Sequence, residues 1–261
     1  MAKEHAERVR KYFKPFPRWT IWVIVIGVVG LVASGAGVPT IVGIAGIALI
    51  LAGIAGILFW RAKPSDQEMD RWINEDVEKL KPVAVNKTGL DGVKTYGDTV
   101  VVKGPRFWNT GGAFVGVKRG KDGEIRFTPI EVTIINFTKD QLVAYQCALD
   151  LMTDKPLSES TDEYFYQDVV SVSTQSKTTT YDKSTMTRQG RKALKPLMKG
   201  GRLQLNSSEN FVLTTAGGTS LEVFLRDPRL IEMAGGGRIP TGTAEKAIGA
   251  VRTMLREKKA S

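Results

Sequence analysis

Residues 19–60 read WTIWVIVIGVVGLVASGAGVPTIVGIAGIALILAGIAGILFW, 42 consecutive positions without an Asp, Glu, Lys, Arg or His. As one helix, at about 1.5 Å per residue, such a run would reach about 63 Å, twice the ~30 Å hydrocarbon core of a bilayer. Two helices fit that length. The only cluster of turn formers inside the run is Ser34-Gly35-Ala36-Gly37-Val38-Pro39-Thr40, where Pro39 also removes a backbone donor. The pattern therefore predicts one helix over about 19–33 and a second over about 40–60, together a transmembrane hairpin. Trp19, Trp22 and Trp60 fall near the ends, where indoles favour the membrane–water interface.

Charge sets the expected orientation. Residues 1–18 carry Lys3, Arg8, Arg10, Lys11, Lys14 and Arg18 against Glu4 and Glu7, a net of +4, and Arg61 and Lys63 follow the second helix. The turn between the helices is uncharged, so the positive-inside rule places both termini in the cytoplasm of a multi-pass inner-membrane protein. Two other readings of the run stay open. A signal peptide would use Ala33–Gly37 as its cleavage site, and a hairpin could dip into one leaflet without crossing. Small residues recur along both helices: Gly30 and Ser34 lie four apart, as do Ala48, Ala52 and Gly56. Such rows let helices pack closely in lipid, within the hairpin or between protomers of an oligomer. The helices hold no charged residue, which weighs against transport through a single subunit.

Beyond the hairpin, Ser65 and Glu68 form a capping box, and Met69, Trp72, Ile73, Val77 and Leu80 recur at helical spacing. A linker helix is expected over residues 64–82, ended by Pro82, with its apolar stripe packed on the domain that follows. From residue 83 the pattern turns to β. Short Val, Ile, Phe and Thr runs are predicted as strands at 97–103, 113–118, 124–127, 131–137, 141–151, 164–172, 202–206, 210–215 and 219–225. Thr153–Glu163 reads as a polar loop and Asn206–Glu209 as a turn. After Gly235-Gly236-Gly237 and Pro240, Thr243 is placed to cap an amphipathic helix whose apolar face is Ala244, Ala247, Ile248, Val251, Met254 and Leu255. The expected class is α+β: an antiparallel sandwich or open barrel over 83–261, closed by the C-terminal helix.

Tyr164–Val172, Phe211–Leu225 and the helix from Thr243 carry a resemblance to bacterial membrane-anchored pleckstrin-homology-like (GRAM-like) domains, covering about half the chain. The resemblance implies a binding module for lipids, peptides or neighbouring subunits, without catalytic residues. The insert at 173–201 departs from the compact pattern of that family.

That insert is where charge concentrates. Lys177, Lys183, Arg188, Arg191, Lys192, Lys195, Lys199 and Arg202 stand against Asp182 alone, a net of +7 in a chain whose total is +10. The insert reads first as a solvated, mobile loop rich in Ser, Thr and Gly. Near an anionic leaflet each such cation contributes about 1 kcal/mol, so docking on anionic lipid is the next reading, followed by an acidic protein partner. Nucleic acid is disfavoured, because Tyr181 is the sole aromatic in the run. A second candidate contact is Arg106-Phe107-Trp108, a cation beside two aromatics in a predicted loop, which can bind an interface or partner but more often tucks under a loop as a satellite cluster. Catalysis finds little to work with. His5 is the one histidine and Cys147 the one cysteine, and no phosphate loop, nucleophile elbow or zinc-protease motif occurs. No catalytic residue, metal or cofactor is expected. The sequence points to a membrane-anchored adaptor or scaffold working with a second copy or a partner membrane protein, or alternatively to a lipid-binding or remodelling protein.

Overall fold

The computed structural model describes residues 2–37, 39–61, 63–240 and 242–260, without the side chains of Ala2, Lys3, Thr243 and Ala260. The expected cap at Thr243 thus lies outside the described side chains. The chain divides into two compact units, Met1–Met69 and Asp70–Ser261.

In the first unit, α1 (Ala2–Phe13) precedes two apolar helices, α2 (Trp19–Gly35) and α3 (Thr40–Arg61). Helix α3 is the one described helix long and apolar enough, by length and composition, to cross a membrane. Helix α2 is apolar but has 17 residues, about 26 Å. The two pack antiparallel along a seam of small residues. A methyl group on Gly46 would lie 2.6 Å from the Gly27 carbonyl oxygen, and one on Gly43 would lie 2.7 Å from Ser34 Oγ. Gly43, Gly46 and Gly53 are buried, whereas Ala48 and Ala52 are exposed on another face. The inner row Gly43, Gly46, Gly53 and Gly56 follows spacings of three and seven, which keep one face toward the partner helix. Of the four-residue row Ala48, Ala52 and Gly56 only Gly56 belongs to it, where an added Cβ would lie 2.8 Å from Thr20 Cγ2. The N-terminal residues fold as well. Val9, Tyr12 and Phe13 of α1 are buried, and Tyr12 donates to Asp66 at 2.8 Å.

Helix α4 (Asp66–Lys87) begins with the expected capping box, Ser65 Oγ accepting from the Glu68 amide at 3.1 Å while Glu68 accepts from the Ser65 amide at 2.9 Å. It does not stop at Pro82. The proline sits on the exposed side, where the carbonyl it leaves unpaired faces water, and the helix runs on to Lys87.

The second unit is built on antiparallel strands. β1 (Val100–Pro105), β4 (Ile130–Phe137), β5 (Gln141–Asp150) and β6 (Lys155–Phe165) form one sheet in the order β1-β4-β5-β6. β7 (Val169–Asp182), β9 (Arg202–Thr215) and β10 (Ser220–Arg226) form a second, in the order β10-β9-β7, with the two-residue β8 (Met198–Lys199) beside β9. β2 (Gly116–Arg119) and β3 (Ile125–Thr128) make a separate hairpin. The sheets do not close into a barrel. Between them lies a core of Val100, Val102, Ile135, Phe137, Leu142, Ala144, Phe211, Leu213, Leu221 and Val223, completed by Ala247, Ile248, Val251 and Leu255 of α7 (Gly242–Ala260). Val143, Tyr145, Cys147 and Leu149 are buried on the opposite face of the first sheet. That face is the one α4 covers, with Lys79 on Asp154, Lys87 on Glu159 and Asn74 on Lys103. The linker stripe therefore packs on the domain, as its acidic outer face suggests.

Three local expectations change. The segment read as the loop Thr153–Glu163 is mostly strand β6. The single strand expected at 164–172 is broken by a tight turn at Tyr166–Asp168. Asn206–Glu209 is not a turn, because β9 runs through it beside β7: Ser208 and Glu209 pair with Lys177 and Ser176, and Asn206 and Ser207 fall where the register shifts, before pairing resumes at Thr179↔Leu205.

Candidate functional site

The basic insert is an ordered arm. β7 and β9 have 14 residues each, long for strands, and only their inner ends reach the sandwich core. Their outer ends carry a folded tip. Asp182 accepts from the Ser184 amide at 2.8 Å, and Thr187 Oγ1 accepts from the Gly190 amide at 3.0 Å, capping the short helix α5 (Arg188–Ala193). Met186, Leu194, Leu197 and Leu203 are buried beneath it. This small core allows a polar, Gly-rich insert to hold one shape.

Of the insert cations, Arg191 turns inward and donates to the carbonyls of Lys183 and Met186, both at 3.0 Å. Lys177 pairs with Glu222 at 2.6 Å, and Arg202 lies 4.0 Å from Asp182. Lys183, beside Asp182, and Arg188, Lys192, Lys195 and Lys199 are exposed, and the last four form no salt bridge among the described residues. Arg188, Lys192, Lys195 and Lys199 present an unneutralised positive surface around the tip.

Arg106, Phe107 and Trp108 do not present themselves to a partner. Phe107 is fully buried, and Trp108 stacks on Tyr181 with 3.8 Å between centroids and 13° between planes. Arg106 pairs with buried Glu131 at 2.7 Å and lies over the Trp108 ring at 5.0 Å. The amide of Asn109 donates to the Thr185 carbonyl at 2.7 Å. The aromatic loop thus fastens the root of the basic arm to the sandwich. Burial pushes the Glu131 carboxyl up to about 7, against the pull of Arg106. The Tyr181 hydroxyl is raised well above its ordinary value, first by burial and then by Glu131 and Glu222.

Two other clusters invite a chemical reading. Carboxylate oxygens of Asp70, Asp122 and Glu124 lie close enough together to hold a metal ion. The Arg126 guanidinium already occupies that position, with Nη2 2.5 Å from Asp70 and 2.6 Å from Asp122, and Arg238 neutralises Glu124 at 2.6 Å. Cys147 is buried and its thiol is pushed up to about 12, chiefly by that burial, so it is protonated at neutral pH and a poor nucleophile. Tyr145 beside it donates to Glu159 at 2.8 Å. These groups form a structural network on the face under α4.

The hairpin is the remaining candidate. Among the described residues, seventeen of the twenty exposed large hydrophobic side chains lie between Trp19 and Phe59. They surround both helices, while the glycine seam faces inward. Gly30, Ser34 and Gly56 are partly buried near that seam, whereas Ala48 and Ala52 point outward with the large apolar residues. Gly43, Gly46 and Gly53, which carry the packing, were legible in the sequence as a three-and-seven spacing. Compared with family models, curated proteins and solved structures, the chain matches none.

Proposed function

We propose that this chain is a non-enzymatic membrane anchor and scaffold. A helical hairpin in the inner membrane would hold a pleckstrin-homology-like binding domain at the cytoplasmic surface, within an oligomer or a larger complex. One observation carries the reading: a two-helix unit whose outward surface is almost wholly apolar, joined to a separately packed β domain. Seventeen large exposed hydrophobics on about forty residues would be an aggregation hazard in water and are ordinary in lipid. The four-then-three antiparallel strand order ending in a helix packed on the core supports the family resemblance. Alkaline carbonate extraction and flotation test the anchor, and size analysis in mild detergent tests the scaffold. The reading requires the chain to stay with the membrane and to run as one defined assembly. Release by carbonate, or a monomer with no partner, would refute it.

A second reading, lipid recognition by the arm, is favoured by the exposed cations at its tip. Replacing Arg188, Lys192, Lys195 and Lys199 with Glu would then abolish salt-sensitive docking of the domain on anionic vesicles. Unchanged docking would remove this reading.

A further inference from the structure

The charged end of the hairpin contains a cleft of about 500 Å³ that neither helix packing nor the basic arm explains. Its walls come from three segments within the first unit. Helix α1 supplies Arg10 and Lys11, with Lys14 just beyond its end, while Trp19 opens α2 and Phe59 and Trp60 lie near the end of α3. Lys11 Nζ sits 3.8 Å over the Phe59 ring, which holds its ammonium at the rim. Lys14 is exposed, and the one acid of the lining is Glu7. Phe16 packs edge-on against Trp60 at 4.9 Å, fixing the indole. The indole N–H of Trp60 is buried and has no acceptor. A buried donor without a partner is costly, and a ligand oxygen would satisfy it.

The level of the cleft along the hairpin names its ligand. Trp19 and Phe59, 59% and 65% exposed, belong to the apolar belt, whereas Arg18, Arg61 and Lys63 adjoin it in the chain. In a bilayer this is the headgroup level, where aromatic rings and cations meet phosphate. Resting on the bilayer reading of the hairpin, we propose that the cleft binds the phosphate group of an anionic phospholipid. Arg10, Lys11 and Lys14 would bind its oxygens and the Trp60 N–H would donate to one of them, with the acyl chains running along the exposed rings. This site uses none of the residues of the basic arm and would be filled by a resident lipid.

The test uses the full chain, reconstituted with equal amounts of phosphatidylglycerol and phosphatidylcholine, solubilised in mild detergent and assayed for retained phospholipid by mass spectrometry. The wild-type chain should retain phosphatidylglycerol preferentially. Lys11→Gln with Lys14→Gln should lower that preference on the order of tenfold, since each cation near an anionic surface contributes a several-fold factor. Trp60→Phe, which keeps an aromatic ring but removes the N–H together with the rest of the indole's five-membered ring, should lower it several-fold. Arg252→Gln with Arg256→Gln on α7 removes equal charge elsewhere and should leave it unchanged. Equal retention of both lipids, or an equal loss in the α7 variant, would overturn the proposal. Complete displacement by millimolar inorganic phosphate would also overturn it, assigning the cleft to free anions. Carbonate extraction of the same samples separates the two claims. A chain that resists extraction without lipid preference refutes the cleft alone, and a chain that is extracted refutes the anchor.

Discussion

Replacing Gly46 with leucine while placing the same side chain at Ala48 separates the inner face of α3 from its outer face. A Cβ on Gly46 would lie 2.6 Å from the Gly27 carbonyl oxygen and 3.0 Å from the Leu31 amide nitrogen. Both are backbone atoms of α2 and cannot rotate away. Ordinary contact begins at 3.4 Å, so the helices must part locally by about 0.8 Å before the rest of the side chain is counted. A gap of that size forfeits roughly a quarter to a half of the dispersion energy of each facing atom pair. In lipid, where packing replaces the hydrophobic drive between helices, the expected cost is about 1–3 kcal/mol. Ala48 is exposed, and leucine there should change stability by less than about 0.5 kcal/mol. Dyes on Arg18→Cys and Lys63→Cys, in a Cys147→Ala background, would report separation of the hairpin ends as SDS is titrated into mixed micelles. Gly46→Leu should open at clearly lower SDS than wild type, and Ala48→Leu at the wild-type midpoint. Coincident midpoints for the two variants would refute the glycine seam. An Ala48→Leu chain that opens normally but loses its oligomer would assign the outer small face to contacts between protomers.

Two further outcomes follow from buried charges. Glu131 is held near 7 by burial, above its ordinary 4.5, so the folded state keeps a proton that the unfolded chain has lost. Stability should therefore fall as pH rises from about 4.5 to about 7, by up to about 3 kcal/mol, and level off above. Glu131→Gln should flatten that slope in denaturant titrations at a series of pH values, leaving the smaller slope of the same sign due to Asp76, which burial raises to about 6. An unchanged slope would show that Glu131 is ionised throughout. Lys79 binds Asp76 at 2.7 Å and Asp154 at 2.6 Å, joining α4 to the β5–β6 connection. Lys79→Met should cost about 1–2 kcal/mol by stranding the buried Asp76 carboxylate, and adding Asp76→Asn should restore most of it. Equal stability of the single and double variants would show that the pair contributes nothing.

The parts of this fold that were legible in the sequence are those where one physical signal dominates. The uncharged run with a single turn cluster gives two antiparallel helices, the Ser65 and Glu68 pair starts α4, and the apolar spacing from Ala244 to Leu255 gives a helix that completes the core. Misreadings occurred where tertiary pairing overrides composition. Asn206–Glu209 has turn chemistry, yet β7 supplies a partner, and Ser208 Oγ donates to the Lys177 carbonyl at 2.7 Å. Pro82 is a helix breaker only where the lost hydrogen bond is buried, and here it faces water. Among the site residues, exposure of the tip cations could be guessed from charge density alone. The inward turn of Arg191 could not, because it depends on carbonyls at Lys183 and Met186 that only the folded tip brings together. In sequence Arg106, Phe107 and Trp108 fit a contact loop and a tucked cluster alike, and the stack on Tyr181, 73 residues away, that decides between them is invisible there. The cleft at the hairpin end combines α1 with Trp19 and Trp60 across 40 apolar residues, and no local pattern announces it.

The account rests on the hairpin crossing the membrane and returning. Single cysteines at Ala36, Lys81 and Glu257, each in the Cys147→Ala background, can be treated with a membrane-impermeant maleimide on intact and on permeabilised cells. Labelling of position 36 from outside, with positions 81 and 257 reactive only after permeabilisation, is the predicted result. Labelling of position 81 or 257 on intact cells would contradict it.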